Sequence, residues 1–149
     1  QLSRGLGDVY KRQILVTKAL YQKTGSAKHF IIIDAGMNDL LRPTLYGAYH
    51  RIEPVVKPVG NSKIKADVVG PICETGDYLA QDREVAQTRN GDLLAVMSTG
   101  AYGFTMSSNY CSRLKVAEVM VHDDCYQVIR TRQTYEDLVA GESIPPFVA

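Results

Sequence analysis

The chain has 149 residues, 45% of them apolar, enough for one domain with a real core and unlike the composition of a disordered segment. Seventeen basic against sixteen acidic side chains leave no electrostatic surplus, which argues against a nucleic-acid partner. The longest apolar stretches, such as Phe30 to Ile33 and Leu93 to Met97, fall far short of the roughly 20 residues that span a bilayer, so a soluble protein with no membrane partner is expected.

Residues 1–13 have no clear apolar period, and Asp8 to Gln13 (DVYKRQ) resembles the in-frame translation of a sequencing adapter; residues 1–13 are therefore expected to be a non-native tail, and 14–149 the domain. Val16 to Lys23 and His29 to Asp34 read as a strand pair joined by a polar turn at Gly25 and Ser26. Between Asn38 and His50, Leu40, Leu41, Leu45 and Tyr49 recur at helical spacing, but Pro43 limits them to short helical turns. Arg51 to Val59, punctuated by Pro54 and Pro58, suits an edge strand or connecting arm. Ile64 to Val69 is a further strand, ended by Gly70 and Pro71. Leu79 to Val85 is read as a helical turn. Asn90-Gly91-Asp92 then turns the chain into the strand Leu93 to Met97. Val116 to Val121 and Tyr126 to Arg132 pair across Asp123-Asp124, and Thr134 caps a short last helix that begins with Glu136 and Asp137. The expected fold is mainly β: one domain of six or seven antiparallel strands, a Greek-key barrel or sandwich with a few short helices.

Three polar, glycine-containing clusters each follow a strand: DAGMNDLLRPTLYGAYH (34–50), GPICETGD (70–77) and STGAYGFTMSSNY (98–110). Loops at strand ends are where a rigid scaffold presents binding groups, and these supply an arginine, several tyrosines, a cysteine and a carboxylate. Cys73, Cys111 and Cys125 are odd in number, widely spaced and without a C-x-x-C pair, which fits reduced thiols in a cytoplasmic protein and no metal site. His29, His50 and His122 carry no motif and read as surface or packing residues.

The three clusters in this order, with IIIDAGMNDLLRP and the ending RQTYEDL, resemble the C-terminal domain of diaminopimelate decarboxylase over nearly everything from Ile14 onward. The resemblance implies a two-domain enzyme that uses pyridoxal 5′-phosphate to remove carbon dioxide from meso-diaminopimelate, giving L-lysine. Its cofactor lysine would sit on an α/β barrel outside this chain, and its active sites would be shared across a homodimer. On the matching motifs it implies that Arg42 and Tyr46 bind the distal carboxylate of the substrate, for which a guanidinium fork is suited. Glu74 would take the distal ammonium and Cys73 would donate the proton, both to the neighbouring subunit's site. Tyr102 would lie against substrate and cofactor, with Gly100 and Gly103 allowing close backbone approach. Asn109 and Tyr110 would shape their loop, and Cys111 is given no role.

None of the eight lysines falls in a motif that holds the cofactor, so this polypeptide alone is expected to be inactive. Two other readings stay open. One is an ornithine- or arginine-type decarboxylase of the same fold, although Glu74 together with Arg42 favours a substrate with both charges at its far end. The other is a noncatalytic regulatory β-domain that inherited the loops of an enzyme.

Overall fold

The computed structural model describes residues 13–56 and 62–148, so the expectations for residues 1–12 and for the far end of the Arg51–Val59 arm lie outside the described residues. The described chain falls into two compact units, divided between Ser107 and Ser108.

In the first unit β1 (Ile14–Thr24), β2 (His29–Ile33), β3 (Ile52–Pro54), β4 (Lys63–Val69), β5 (Tyr78–Ala86) and β6 (Leu93–Met97) form one sheet in the order β3-β6-β1-β2-β4-β5. The edge strands β3 and β5 approach one another, so the sheet is nearly closed, barrel-like. Closure buries one face, and the β-branched and leucine side chains that define the strands meet there: Ile31 and Ile33 of β2, Val68 of β4, Leu79 of β5, Leu94 and Val96 of β6. Leu40, from the segment after β2, is fully buried in the same core. The expected hairpin of the first two strands and the edge position of β3 are both present.

Two features differ from the expectations. All pairings in the sheet are antiparallel except β2 with β4, which is parallel because the chain between them crosses over through α1 (Arg42–Tyr46) and β3. Leu79–Val85 is not a helical turn but most of β5. A bulge hides its period: Ala66 pairs with Arg83 but Val68 with Ala80, and Asp82 within the irregularity adopts φ 48°. Buried Asp67 on β4 supports the bulge, accepting from the Asp82 amide at 2.6 Å and from Lys28 Nζ at 2.9 Å. That hydrogen bond holds the Lys28 ammonium above its usual lysine pKa.

The second unit is a hairpin and a helix. β7 (Glu118–His122) and β8 (Cys125–Arg130) pair antiparallel around a turn with Asp123 at φ 50°. α2 (Tyr135–Val139) opens with a capping box: the Asp137 amide donates to Thr134 Oγ1 and the Thr134 amide to the Asp137 carboxylate. Both elements stand where the sequence suggests. Asn109 shapes its loop as expected, its amide nitrogen donating to the Arg113 carbonyl at 2.7 Å and to the Gln133 side chain. Among the described residues no helix is long and apolar enough to cross a membrane.

Candidate functional site

The segment after β2 is fixed before it reaches any reactive group. Asp34 accepts from Thr17 Oγ1 at 2.6 Å and the Lys18 amide at 2.8 Å, tying the end of β2 to β1. Gly36 and Asp39 close a turn, with the Gly36 amide on the Asp39 carboxylate at 2.9 Å and the Leu40 amide on the Gly36 carbonyl at 3.1 Å. The chain then enters α1. Pro43 stands in its first turn, where a missing N–H costs nothing, so it opens the helix more than it interrupts it. Gly47, at φ 62°, ends the helix after five residues, its amide on the Pro43 carbonyl.

One helical turn brings Arg42 and Tyr46 to the same face, with Cζ 5.6 Å from the Tyr46 ring centroid. The loop after β6 brings Tyr102 to the same guanidinium, 5.2 Å from its ring centroid. Arg42, Tyr46, Tyr102 and Met106 line one shallow depression; a second beside it shares Arg42 and Tyr102 and adds Ala48, Tyr49, His50, Ser98 and Ala101. Three of the five residues singled out from the sequence therefore converge, although Arg42 and Tyr102 are distant in the chain.

Tyr102 reaches this place through a left-handed backbone, φ 66°, rare for a bulky residue. The adjoining glycines also serve the packing of the turn: a Cβ on Gly103 would collide with the Thr99 carbonyl oxygen, and one on Gly100 with the Gln13 side chain, so both let the turn pack against its own protein.

Cys73 and Glu74 stand apart from that depression, both exposed on the loop between β4 and β5. Asp77, quoted in the GPICETGD motif but given no role from sequence, organises this loop. Buried, it accepts from the Ile72 amide at 2.6 Å and from the Met37 amide at 2.7 Å, joining the Cys73 loop to the turn that leads into α1. Thr44 Oγ1 on α1 donates to the Gly76 carbonyl, a second tie. The helix that carries Arg42 and the loop that carries Cys73 are thus bound together. His50 is buried and His29 and His122 are exposed, in keeping with packing and surface residues. Among the described residues no group of three or more His, Cys, Asp or Glu side chains is arranged to hold a metal.

The fold and these loops define a class: a mainly β domain that gathers reactive side chains where its strands end. Residues 11–100 match the family described as the pyridoxal-dependent decarboxylase C-terminal sheet domain, and the chain belongs to that family. It is 52% identical over 126 residues to the diaminopimelate decarboxylase of Aquifex aeolicus, an alignment covering 85% of this chain and 30% of that protein. The crystal structure of diaminopimelate decarboxylase from Helicobacter pylori complexed with L-lysine superimposes with a TM-score of 0.78 at 42% identity, over 85% of this chain and 31% of that one. That of the M. jannaschii enzyme, also in complex with L-lysine, does so with a TM-score of 0.85 at 37% identity, over 91% and 31%. The chain spans about a third of the length of the curated relatives it matches.

The family implies pyridoxal phosphate. The residues lining the two depressions include a guanidinium and three tyrosines but no lysine. This donor set suits anionic oxygens and a planar ring, not covalent attachment of an aldehyde. The residues present fit one wall of a cofactor and substrate site.

Proposed function

We propose that this chain is the substrate-reading domain of a decarboxylase that converts meso-diaminopimelate to L-lysine and carbon dioxide. The observation that carries the reading is the convergence of Arg42, Tyr46 and Tyr102 on one depression. When bound, pyridoxal phosphate supplies the electron sink that lets the bond to the departing carboxylate break. Arg42 binds the distal carboxylate through its guanidinium fork, with Tyr46 as a second donor. Glu74 takes the distal ammonium. Cys73 holds on its Sγ the proton delivered to the carbon that has lost carbon dioxide. Tyr102 lies against substrate and cofactor. In a homodimer Cys73 and Glu74 serve the partner's site, and the lysine that holds the cofactor lies outside this chain, so the 149 residues alone turn nothing over. The protein works in the cytoplasm, where its thiols stay reduced.

Carbon dioxide release tests this reading. In the full-length protein containing this chain, meso-diaminopimelate is turned over and lysine and ornithine only in traces. Preference for ornithine or arginine would replace the substrate assignment, and release from none of these, with pyridoxal phosphate bound, would make the domain a regulator.

A further inference from the structure

His50 joins the two segments that present Arg42 and Tyr102. It lies just past α1, is 4% exposed, and its Nδ1 is 3.0 Å from the Met97 carbonyl oxygen. A carbonyl only accepts, so Nδ1 carries a proton in this contact. Nε2 is buried with no hydrogen-bond partner. Met97 is the last residue of β6, and its amide donates to the Arg51 carbonyl at 2.8 Å. The peptide groups on both sides of Met97 are therefore held by consecutive residues, His50 and Arg51. On the opposite edge of the sheet, Arg83 of β5 donates to the His50 carbonyl at 2.7 Å and lies 4.0 Å from the Tyr49 ring centroid.

Ser98, immediately after the clamped residue, has φ 60°, and Tyr102 has φ 66°. Left-handed backbone at such residues persists only where the surroundings over-determine it. The clamp at Met97 is that constraint on the entry side of the loop. Within the first segment, the Ala48 amide donates to the Arg42 carbonyl at 3.3 Å, so the clamped segment is linked back to the start of α1.

We propose that His50 is a positioning residue whose Nδ1–H bond to the Met97 carbonyl sets the spacing between Arg42 and Tyr102. Asparagine, whose side-chain nitrogen stands as many bonds from Cβ as histidine Nδ1, would make the same bond. Glutamine places its nitrogen at the Nε2 position and misses it. The kinetic consequence rests on the proposed role of Arg42; the geometric one does not.

The test compares full-length wild-type protein with His50→Gln and His50→Asn. For His50→Gln, KM for meso-diaminopimelate rises about tenfold while kcat stays within about threefold, because a displaced Arg42 loses substrate binding. His50→Asn restores KM to within about twofold of wild type. A smaller folded fraction would instead lower the apparent kcat and leave KM alone. Nitrogen-15 NMR of wild type shows His50 protonated at Nδ1, and the crystal structure of His50→Gln shows the Arg42 guanidinium displaced from Tyr102. Protonation at Nε2 alone, equal damage in both variants, or wild-type kinetics and spacing in His50→Gln would each overturn the proposal. If wild type turned over no diaminopimelate, the substrate reading would fail, and the tautomer and the His50→Gln structure would still decide the role of His50. If His50→Gln did not fold, the tautomer and the kinetics of His50→Asn would decide it.

Discussion

Replacing Arg42 by alanine lowers kcat/KM for meso-diaminopimelate by about one and a half to three and a half decades, the roughly 2 to 5 kcal/mol that goes with the loss of a charged hydrogen-bonding partner. The guanidinium lies 5.6 Å from the Tyr46 ring centroid and 5.2 Å from that of Tyr102, and among the described residues no other cation lines that depression. The loss is selective. Lysine and ornithine have no distal carboxylate, so trace activity on them changes little. Both constants are measured on full-length protein confirmed to retain its cofactor. An equal fall on all substrates would assign Arg42 to cofactor or fold, and unchanged turnover of diaminopimelate would remove it from the site.

Asp77→Ala has the largest effect expected on the fold. Its carboxylate accepts the Ile72 and Met37 amides at 2.6 and 2.7 Å from a buried position. Hydrogen bonds to a charged group contribute about 1.5 to 3 kcal/mol each, so losing both costs roughly 3 to 6 kcal/mol, a large share of a domain's stability. The Cys73 loop and the turn before α1 come apart together. Hydrogen exchange at the Ile72 and Met37 amides then accelerates, the melting temperature falls, and turnover falls at least about tenfold as Cys73 loses its anchor. An unchanged melting temperature and unprotected amides in wild type would show that Asp77 does not organise these loops.

Most strands were legible because their apolar runs bury one face of a sheet, and the terminal helix because Thr134 and Asp137 stand at capping-box spacing. β5 was not legible: the bulge at Asp82 shifts its alternation, and the support comes from Asp67 on another strand. Nor was the parallel pairing of β2 with β4, which depends on the path of the crossover and not on either strand's residues. The three loops stood out as candidate sites by composition and position. Arg42 and Tyr46 are close in sequence, and their shared face follows from helical spacing. Tyr102 meets them only through the folding of the sheet. The roles of Asp77 and His50 depend on hydrogen bonds to Met37 and Met97, far along the chain, and no local pattern announces such partners.

Subunit mixing tests most directly whether this chain contributes reactive side chains to a composite site shared between subunits. Full-length subunits carrying Cys73→Ala are mixed with subunits lacking the cofactor lysine, each inactive alone. If Cys73 serves the partner's site, every mixed dimer of a two-fold symmetric enzyme contains one intact site. Random exchange of equal amounts then restores about a quarter of wild-type activity. If both variants are folded, exchange is verified and the mixture stays inactive, the shared composite site is contradicted.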